Sequence, residues 1–250
     1  MILGAHVPSA APLVEAADVG AECIQMFVGD PQSWRKPPPR EDAEELKASA
    51  VPIYVHAPYL INVVSPNNRV RIPSRKILTQ TLEAAGAVGA SGVIVHAGHA
   101  EDGIDRGFVR WRKVFEELES DIPILIENTA GGTNAMGRHV EVLGRLFAEL
   151  SDFEPGFCFD TCHAHAAGED LSDVVDRVLD ATGRIDLVHA NSSRDAHGSG
   201  ADRHASFAAG QMEAEQIVQM VKASGADAVI CETPWPTIAD DIAFLRKALG

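Results

Sequence analysis

Short, largely apolar runs alternate along this chain with longer segments in which apolar residues recur every three or four positions. The runs are Ile2–Ala5, Cys23–Val28, Pro52–Val55, Gly92–Val95, Pro123–Ile126, Gly156–Phe159, Asp186–Val188 and Ala228–Cys231. They lack in–out alternation, as parallel strands covered on both faces should. Between them, Phe108, Trp111, Phe115 and Leu118 follow the i, i+3, i+7, i+10 stripe of a helix, and Val140, Leu143, Phe147 and Leu150 repeat it. Ile238, Ile242, Leu245 and Leu249 form a similar stripe, and each such stripe should face the core. Further helices are expected over Ala11–Val19, Arg40–Ser49, Ser74–Ala87, Leu171–Thr182 and Glu213–Ala223. Eight strands alternating with eight helices predict a (β/α)8 TIM barrel, whose usual length is about that of this chain. No linker or shift in composition divides the chain, so a single domain over residues 1–250 is expected. A doubly wound open sheet fits the same alternation, but no glycine-rich phosphate loop follows the first strand.

Composition narrows the class. With 46% hydrophobic residues the chain can bury a full core, and four cysteines are too few for a disulfide scaffold. The start, Met1-Ile2-Leu3-Gly4-Ala5-His6, has neither the basic residues nor the long apolar stretch of a signal peptide. No apolar run approaches the roughly 20 residues that span a bilayer, so a reducing cytoplasm is the expected setting. Against 36 acidic residues stand 21 basic ones, a formal charge of −15. That balance alone argues against a nucleic-acid partner. Net charge governs solubility, however, and a charged local site can override it.

The residues immediately after the eight apolar runs change the picture. They are His6, Gly29, His56, His96, Glu127, Asp160, His189 and Glu232. Seven of the eight can bind metal or transfer protons, and in a barrel all would lie at the C-terminal rim, where active sites are built. Converging carboxylates and imidazoles are costly to bury unless cations join them. Asp160 and His163 lie three residues apart in Phe159-Asp160-Thr161-Cys162-His163. Asp202 and His204 lie two apart in Asp202-Arg203-His204, within a polar loop from Ser192 to Gly210. The candidate donors are thus His56, His96, His163, His189, His204, Asp160, Asp202, Glu127 and Glu232. Nine nitrogen and oxygen donors exceed what one zinc takes and suit a multinuclear cluster, a recurring device in phosphoryl transfer. His6 is read as supporting a ligand or packing, His99 as a phosphate contact or idle, and His139, His165 and His197 as packing or surface residues. All four cysteines are read as structural.

Five segments carry a resemblance. Val55-His56-Ala57-Pro58-Tyr59-Leu60-Ile61-Asn62, Ile126-Glu127-Asn128-Thr129-Ala130-Gly131, Phe159-Asp160-Thr161-Cys162-His163-Ala164, Asp202-Arg203-His204 and Ile230-Cys231-Glu232-Thr233 resemble the signature segments of the endonuclease IV family of apurinic/apyrimidinic endonucleases. The likeness runs from Gly4-Ala5-His6-Val7 to the last strand. It implies a (β/α)8 barrel with three zinc ions, manganese being an alternative at one site. By the same likeness Glu127, the catalytic residue, bridges two metals, one completed by His56 and His96. Asp160, His189 and Glu232 complete the second, while His163, Asp202 and His204 hold the third. Tyr59 and Leu60 match the pair that wedges into DNA beside the lesion, and Gln32, Trp34, Arg35 and Arg203 are expected DNA contacts.

The implied reaction is hydrolysis of the phosphodiester 5′ to an abasic site, leaving a 3′-hydroxyl and a 5′-deoxyribose phosphate, in base excision repair. A cytoplasmic, nucleoid-associated monomer acting on double-stranded DNA is expected. Three divalent cations would bring −15 to −9, and basic residues are expected in the rim loops: Arg35, Lys36, Arg69, Arg71, Arg75, Lys76, Arg194 and Arg203. Some positions depart from the family. Ala190-Asn191-Ser192 replaces Leu-Asn-Asp, Gln32 stands where a basic wedge is usual, and the His96-Ala97-Gly98-His99 loop is one residue short. Ala208 in Phe207-Ala208-Ala209-Gly210 occupies a glycine site and would strain the loop if its φ were positive. A sugar isomerase or epimerase of the same barrel superfamily is the alternative, but it needs only one or two metals. A catalytically dead zinc-stabilised DNA-binding barrel is a further one.

Overall fold

The computed structural model describes residues 1–250. Its strands are β1 (Ile2–His6), β2 (Cys23–Met26), β3 (Ile53–His56), β4 (Gly92–His96), β5 (Ile124–Glu127), β6 (Gly156–Asp160), β7 (Leu187–His189), β8 (Ser192–Ser193), β9 (His204–Ala205) and β10 (Ala228–Cys231). Eight of them close into a parallel barrel in the order β1-β10-β7-β6-β5-β4-β3-β2, and β8 and β9 form a separate antiparallel pair. The helices are α1 (Pro12–Val19), α2 (Ala43–Ala48), α3 (Asn68–Ala87), α4 (Ile104–Glu117), α5 (Val140–Glu149), α6 (Thr161–Ala167), α7 (Val174–Thr182), α8 (Ala214–Ser224) and α9 (Ile238–Leu249). The fold is the (β/α)8 barrel that the alternation predicts. No helix is long and apolar enough to cross a membrane.

The predicted stripes do face the core. Trp111, Leu143, Ile242 and Leu245 are buried, and Phe115, Leu118 and Leu249 pack half-buried against them. Inside the barrel lies a second, smaller apolar cluster of Cys23, Ile94, Leu125, Cys158, Leu187, Ala228 and Ile230. Side chains two apart on a strand share a face. The residues two further along are therefore Gln25, His96, Glu127, Asp160, His189 and Glu232, stacked directly above an apolar floor.

The structure corrects several expectations. Most strands run one residue further than their apolar runs, because His6, His56, His96, Glu127, Asp160 and His189 still pair in the sheet. An extra helix, α6, starts directly after Asp160, whose side chain accepts from the His163 backbone N–H at 2.7 Å and caps it. Helix α3 begins at Asn68 rather than Ser74. Asn67 caps it by accepting from Arg69 N at 2.9 Å, so Pro73 removes only one hydrogen bond early in the helix. Arg69, Arg71, Arg75 and Lys76 therefore lie on a helix and not in a rim loop. Arg75 is spent on Arg110 O and Glu117 of α4 and Lys36 on Glu83, while Arg71 binds the Ser65 and Pro66 carbonyls. The polar 192–210 stretch is pinned by the pairing of β8, at its start, with β9. There Ser192 lies so close to Gly210 that no Cβ would fit. Ala208 is not among the residues with positive φ, so the strain feared at that site does not arise.

Candidate metal centre

Sheet register builds the site. His96 pairs with Glu127 and Asp160 with His189 on neighbouring strands, which sets their side chains about 5 Å apart on the barrel axis. Glu127 is the hub. Its Oε2 lies 3.2 Å from His56 Nε2 and 3.3 Å from His96 Nε2, and its Oε1 lies 2.9 Å from His189 Nδ1 and 3.4 Å from His163 Nδ1.

The protons of three imidazoles are committed elsewhere. His56 Nδ1 donates to Ala57 O at 2.7 Å, His163 Nδ1 to Asn128 O at 2.8 Å, and His189 Nε2 to Gln25 Oε1 at 2.7 Å. Each ring, when neutral, then presents a bare nitrogen: His56 Nε2 and His189 Nδ1 to Glu127, and His163 Nε2 to Asp202 Oδ1 at 3.1 Å. A lone pair against a carboxylate repels unless a cation lies between them. His163 Nε2 and His204 Nε2 are buried without a hydrogen-bond partner, although Asp202 Oδ1 stands 3.1 and 3.3 Å away. This donor chemistry fits metal ions.

The donors fall into overlapping groups that could each hold one. His56, His96 and Glu127 form one, and Glu127, Asp160, His189 and Glu232 another. Around the outer position, His163 is shared between His96 and Asp202 on one side and Asp160 and His204 on the other. All nine donors expected from the sequence are thereby brought together. Helix α6 supplies His163 and the loop into β9 supplies Asp202 and His204. Cys158 also comes within reach of Glu127 and His189, but burial pushes its thiol well above the ordinary range and favours the neutral form.

Electrostatics tie the donors together. Burial would depress His189, yet Glu232 and Glu127 outweigh it and raise it to about 9. Burial likewise opposes His204, but Asp160 and Asp202 lift it to about 9. His96, with less compensation, is lowered by burial to about 4. On the acid side, burial favours neutral carboxyls, and His189 overrides it to hold Glu127 and Glu232 well below the carboxylate range. In metal-free protein, then, protons on His189 and His204 stand in for cations. Both bind protons more tightly folded than unfolded, where histidine titrates near 6.5. Their stabilisation is complete below about pH 6.5 and is lost as pH rises through about 9. Chelator-treated protein should therefore melt at progressively lower temperature across that window. A flat profile there would remove the ionic account of the empty cluster.

Several supports for the donors escaped sequence reasoning. Asn191, which matches the family's Asn between two departures and was given no role, donates to Asp160 Oδ2 at 2.7 Å and Glu232 Oε2 at 3.2 Å, and accepts from Glu232 N at 2.8 Å. Asn128 clasps the Asp160 backbone through both ends of its amide. Gln25, not Gly29, is the residue of β2 in the donor layer, since it pairs with His6. An alternating reading of Cys23–Val28 would have found it.

Above the donors opens a cavity of about 830 Å³ whose lining includes His6, Phe27, Tyr59, Arg194, Arg203 and Trp235. Tyr59 is 54% exposed, its ring edge-on to Phe27 at 5.0 Å and near His56 at 5.7 Å. Leu60 lines an adjoining hollow with His96, His163 and Asp202. Arg203 is exposed but shares its charge with Asp195, at 2.8 Å from Nε. Gln32 and Trp34 stand exposed on the loop after β2 and outside the cavity lining, while Arg35 borders a small recess beside His56. His99 is exposed and pairs with Glu101, and His139 with Glu169. His165 and His197 pack edge to face.

The model of the xylose isomerase-like TIM barrel family matches residues 13–248. A probable endonuclease 4 of Mycobacterium marinum is 57% identical over the full length of both chains. The crystal structure of endonuclease IV from Thermus thermophilus superposes with a TM-score of 0.84 at 29% identity, covering all of this chain and 99% of that one. A D-tagatose 3-epimerase-like protein superposes at 0.81 with 21% identity, covering all of this chain and 97% of that one, a likeness of fold alone.

Proposed function

The chain belongs to the endonuclease IV family of xylose isomerase-like TIM barrels, and on that premise we propose that it cuts duplex DNA on the 5′ side of abasic sites, leaving a 3′-hydroxyl and a 5′-deoxyribose phosphate in base excision repair. A DNA-repair endonuclease dependent on metal comes with the family. The lesion, the metal count and the residue roles are the proposal, as are a single catalytic domain and a monomer working at the nucleoid in the cytoplasm. The observation that carries it is the set of bare imidazole nitrogens confronting carboxylates around Glu127 and Asp202.

Nine donors suit three zinc ions, with manganese an alternative at one position. His56, His96 and Glu127 would hold the first, and Asp160, His189 and Glu232 with Glu127 the second. His163, Asp202 and His204 would hold the third. Bound there, such metals lower the pKa of a coordinated water towards about 7 and neutralise charge growing on a phosphate. Glu127, with imidazole nitrogens facing both of its oxygens, would keep the first two groups in register and can accept a proton. Arg194 adds positive charge at the mouth, and Arg203, paired with Asp195, offers an exposed guanidinium there, where phosphate must approach. An abasic nucleotide has no base to unstack, so drawing it into the cavity costs less than extruding a paired one.

Incision of an abasic-site duplex, abolished by chelator and restored by zinc, is the direct test. No cleavage of that duplex by fully loaded protein would end the proposal. The epimerase alternative predicts one or two metals, whereas about three equivalents are expected here. The His163–Asp202–His204 group is the observation against it, since an isomerase has no use for it.

Tyr59 and Leu60 are proposed as the lesion wedge, with Gln32, Trp34 and Arg35 beside the duplex. A rigid side chain inserted between base steps costs a few kcal/mol of unstacking and recovers it through contacts to bent DNA. Changing both residues to Ala should leave metal content intact. It should weaken binding to abasic duplex by at least about tenfold more than binding to undamaged duplex, a difference worth ~1.4 kcal/mol. Equal losses on the two DNAs would reduce the pair to loop packing.

A further inference from the structure

Gln25 is a wholly buried carboxamide in β2, placed in the layer of metal donors but holding no metal-type group itself. Its Oε1 lies 2.7 Å from His189 Nε2. Its Nε2 lies 2.6 Å from Glu232 Oε1 and 2.9 Å from His6 Nδ1. A primary amide offers two donors and an acceptor, and here each has one partner. The amide cannot be reversed, because its oxygen would then meet the Glu232 carboxylate with no proton between them.

This orientation has consequences for three neighbours. The amide oxygen accepts from His189 Nε2–H, which leaves Nδ1 bare, 2.9 Å from Glu127 Oε1 and 3.2 Å from Glu232 Oε2. One amide N–H holds Glu232 through Oε1 and so turns Oε2, which also accepts from Asn191 Nδ2, towards the same point. The other N–H needs a lone pair on His6 Nδ1, so the proton of neutral His6 sits on Nε2. No hydrogen bond within the protein uses that nitrogen, and His6 lines the cavity, its ring steadied by Phe27 at a centroid distance of 4.7 Å.

We propose that Gln25 is a positioning residue whose single amide sets two tautomers together. It keeps His189 Nδ1 bare for metal and presents His6 Nε2–H to the cavity as an uncharged donor for a phosphate or sugar oxygen of the substrate. The substrate half of this rests on the reading given under Proposed function. The metal half does not. Coupling through one amide means that a change at the His189 metal is felt at a group facing the substrate, with no moving backbone. A packing role alone would need only a side chain of this volume.

Tautomers are read directly from long-range 1H–15N correlations of the zinc-loaded enzyme carrying 15N-labelled histidine, with His6→Phe identifying one ring. Both His6 and His189 should carry their proton on Nε2. A His6 proton on Nδ1 would overturn the proposal whether or not any variant folds. Gln25→Met keeps length and removes all three hydrogen bonds. Stepwise zinc titration against a chromophoric chelator should show one site weakened about 10- to 100-fold, the usual effect of losing a hydrogen bond to a ligand, and the others unchanged. Wild-type affinity at every site would also overturn it. Neither measurement uses DNA, so failure of the abasic-site reading, seen in the cleavage assay, stays separate from failure of this one.

Discussion

Glu127→Ala is expected to release more than one metal equivalent per chain and to lower incision by about 10⁴-fold, the equivalent of ~5 kcal/mol of transition-state stabilisation. The geometry makes the loss plural. One carboxylate with 1% exposure stands within 3.4 Å of nitrogens from His56, His96, His189 and His163, contributed by β3, β4, β7 and α6. Without it the first two donor groups share no residue, and the imidazoles around the void must either repel as cations or lose their partner. Glu127→Gln separates charge from shape, since it keeps the volume and one acceptor. It should lose metal nearly as fully as the alanine variant if charge is what matters. Elemental analysis alongside single-turnover cleavage checks both. A Glu127→Ala protein that retains the full metal complement would refute the bridging role.

Asp202→Ala or His204→Ala should act on the outer position alone. These residues lie at the cavity mouth, Asp202 with 45% of its side chain exposed, and they reach the rest of the site through His163 and Asp160. One equivalent of metal should be lost. DNA affinity should change little while cleavage falls about 10²- to 10³-fold, because charge on the departing oxygen develops only in the transition state. Wild-type turnover with weakened substrate affinity would show that this group binds the duplex and does not assist the bond that breaks.

Much of this architecture could be read from the chain because strand and helix periods differ and because polar residues at the ends of apolar runs have no other explanation. His56, His96, Glu127, Asp160, His189 and Glu232 were recoverable on that ground alone. Residues reaching the site from irregular segments were harder. Apart from the family likeness, His163 was legible only by its spacing from Asp160, because α6 is seven residues long and lacks a polar side that would mark it as a separate helix. Gln25 was missed because Cys23–Val28 reads as one apolar run, which put the rim at Gly29. Register with β1 decides the matter, and pairing between strands leaves no trace in a local pattern. The basic residues of α3 illustrate a related gap. Charge is visible in sequence, but whether Arg75 faces DNA or the Arg110 carbonyl depends on which helix lies beside it.

The apolar floor under the donors has a kinetic meaning. Cys23, Ile94, Cys158, Leu187 and Ile230 are at most 1% exposed and close the barrel beneath the cluster. Ions, water and substrate must therefore share one doorway. A duplex seated over that doorway would imprison whatever metals were present when it arrived, so loading has to precede engagement. Chelator added after DNA should strip the cluster only as fast as the duplex departs, and the rate of metal loss then becomes a clock for residence on the lesion.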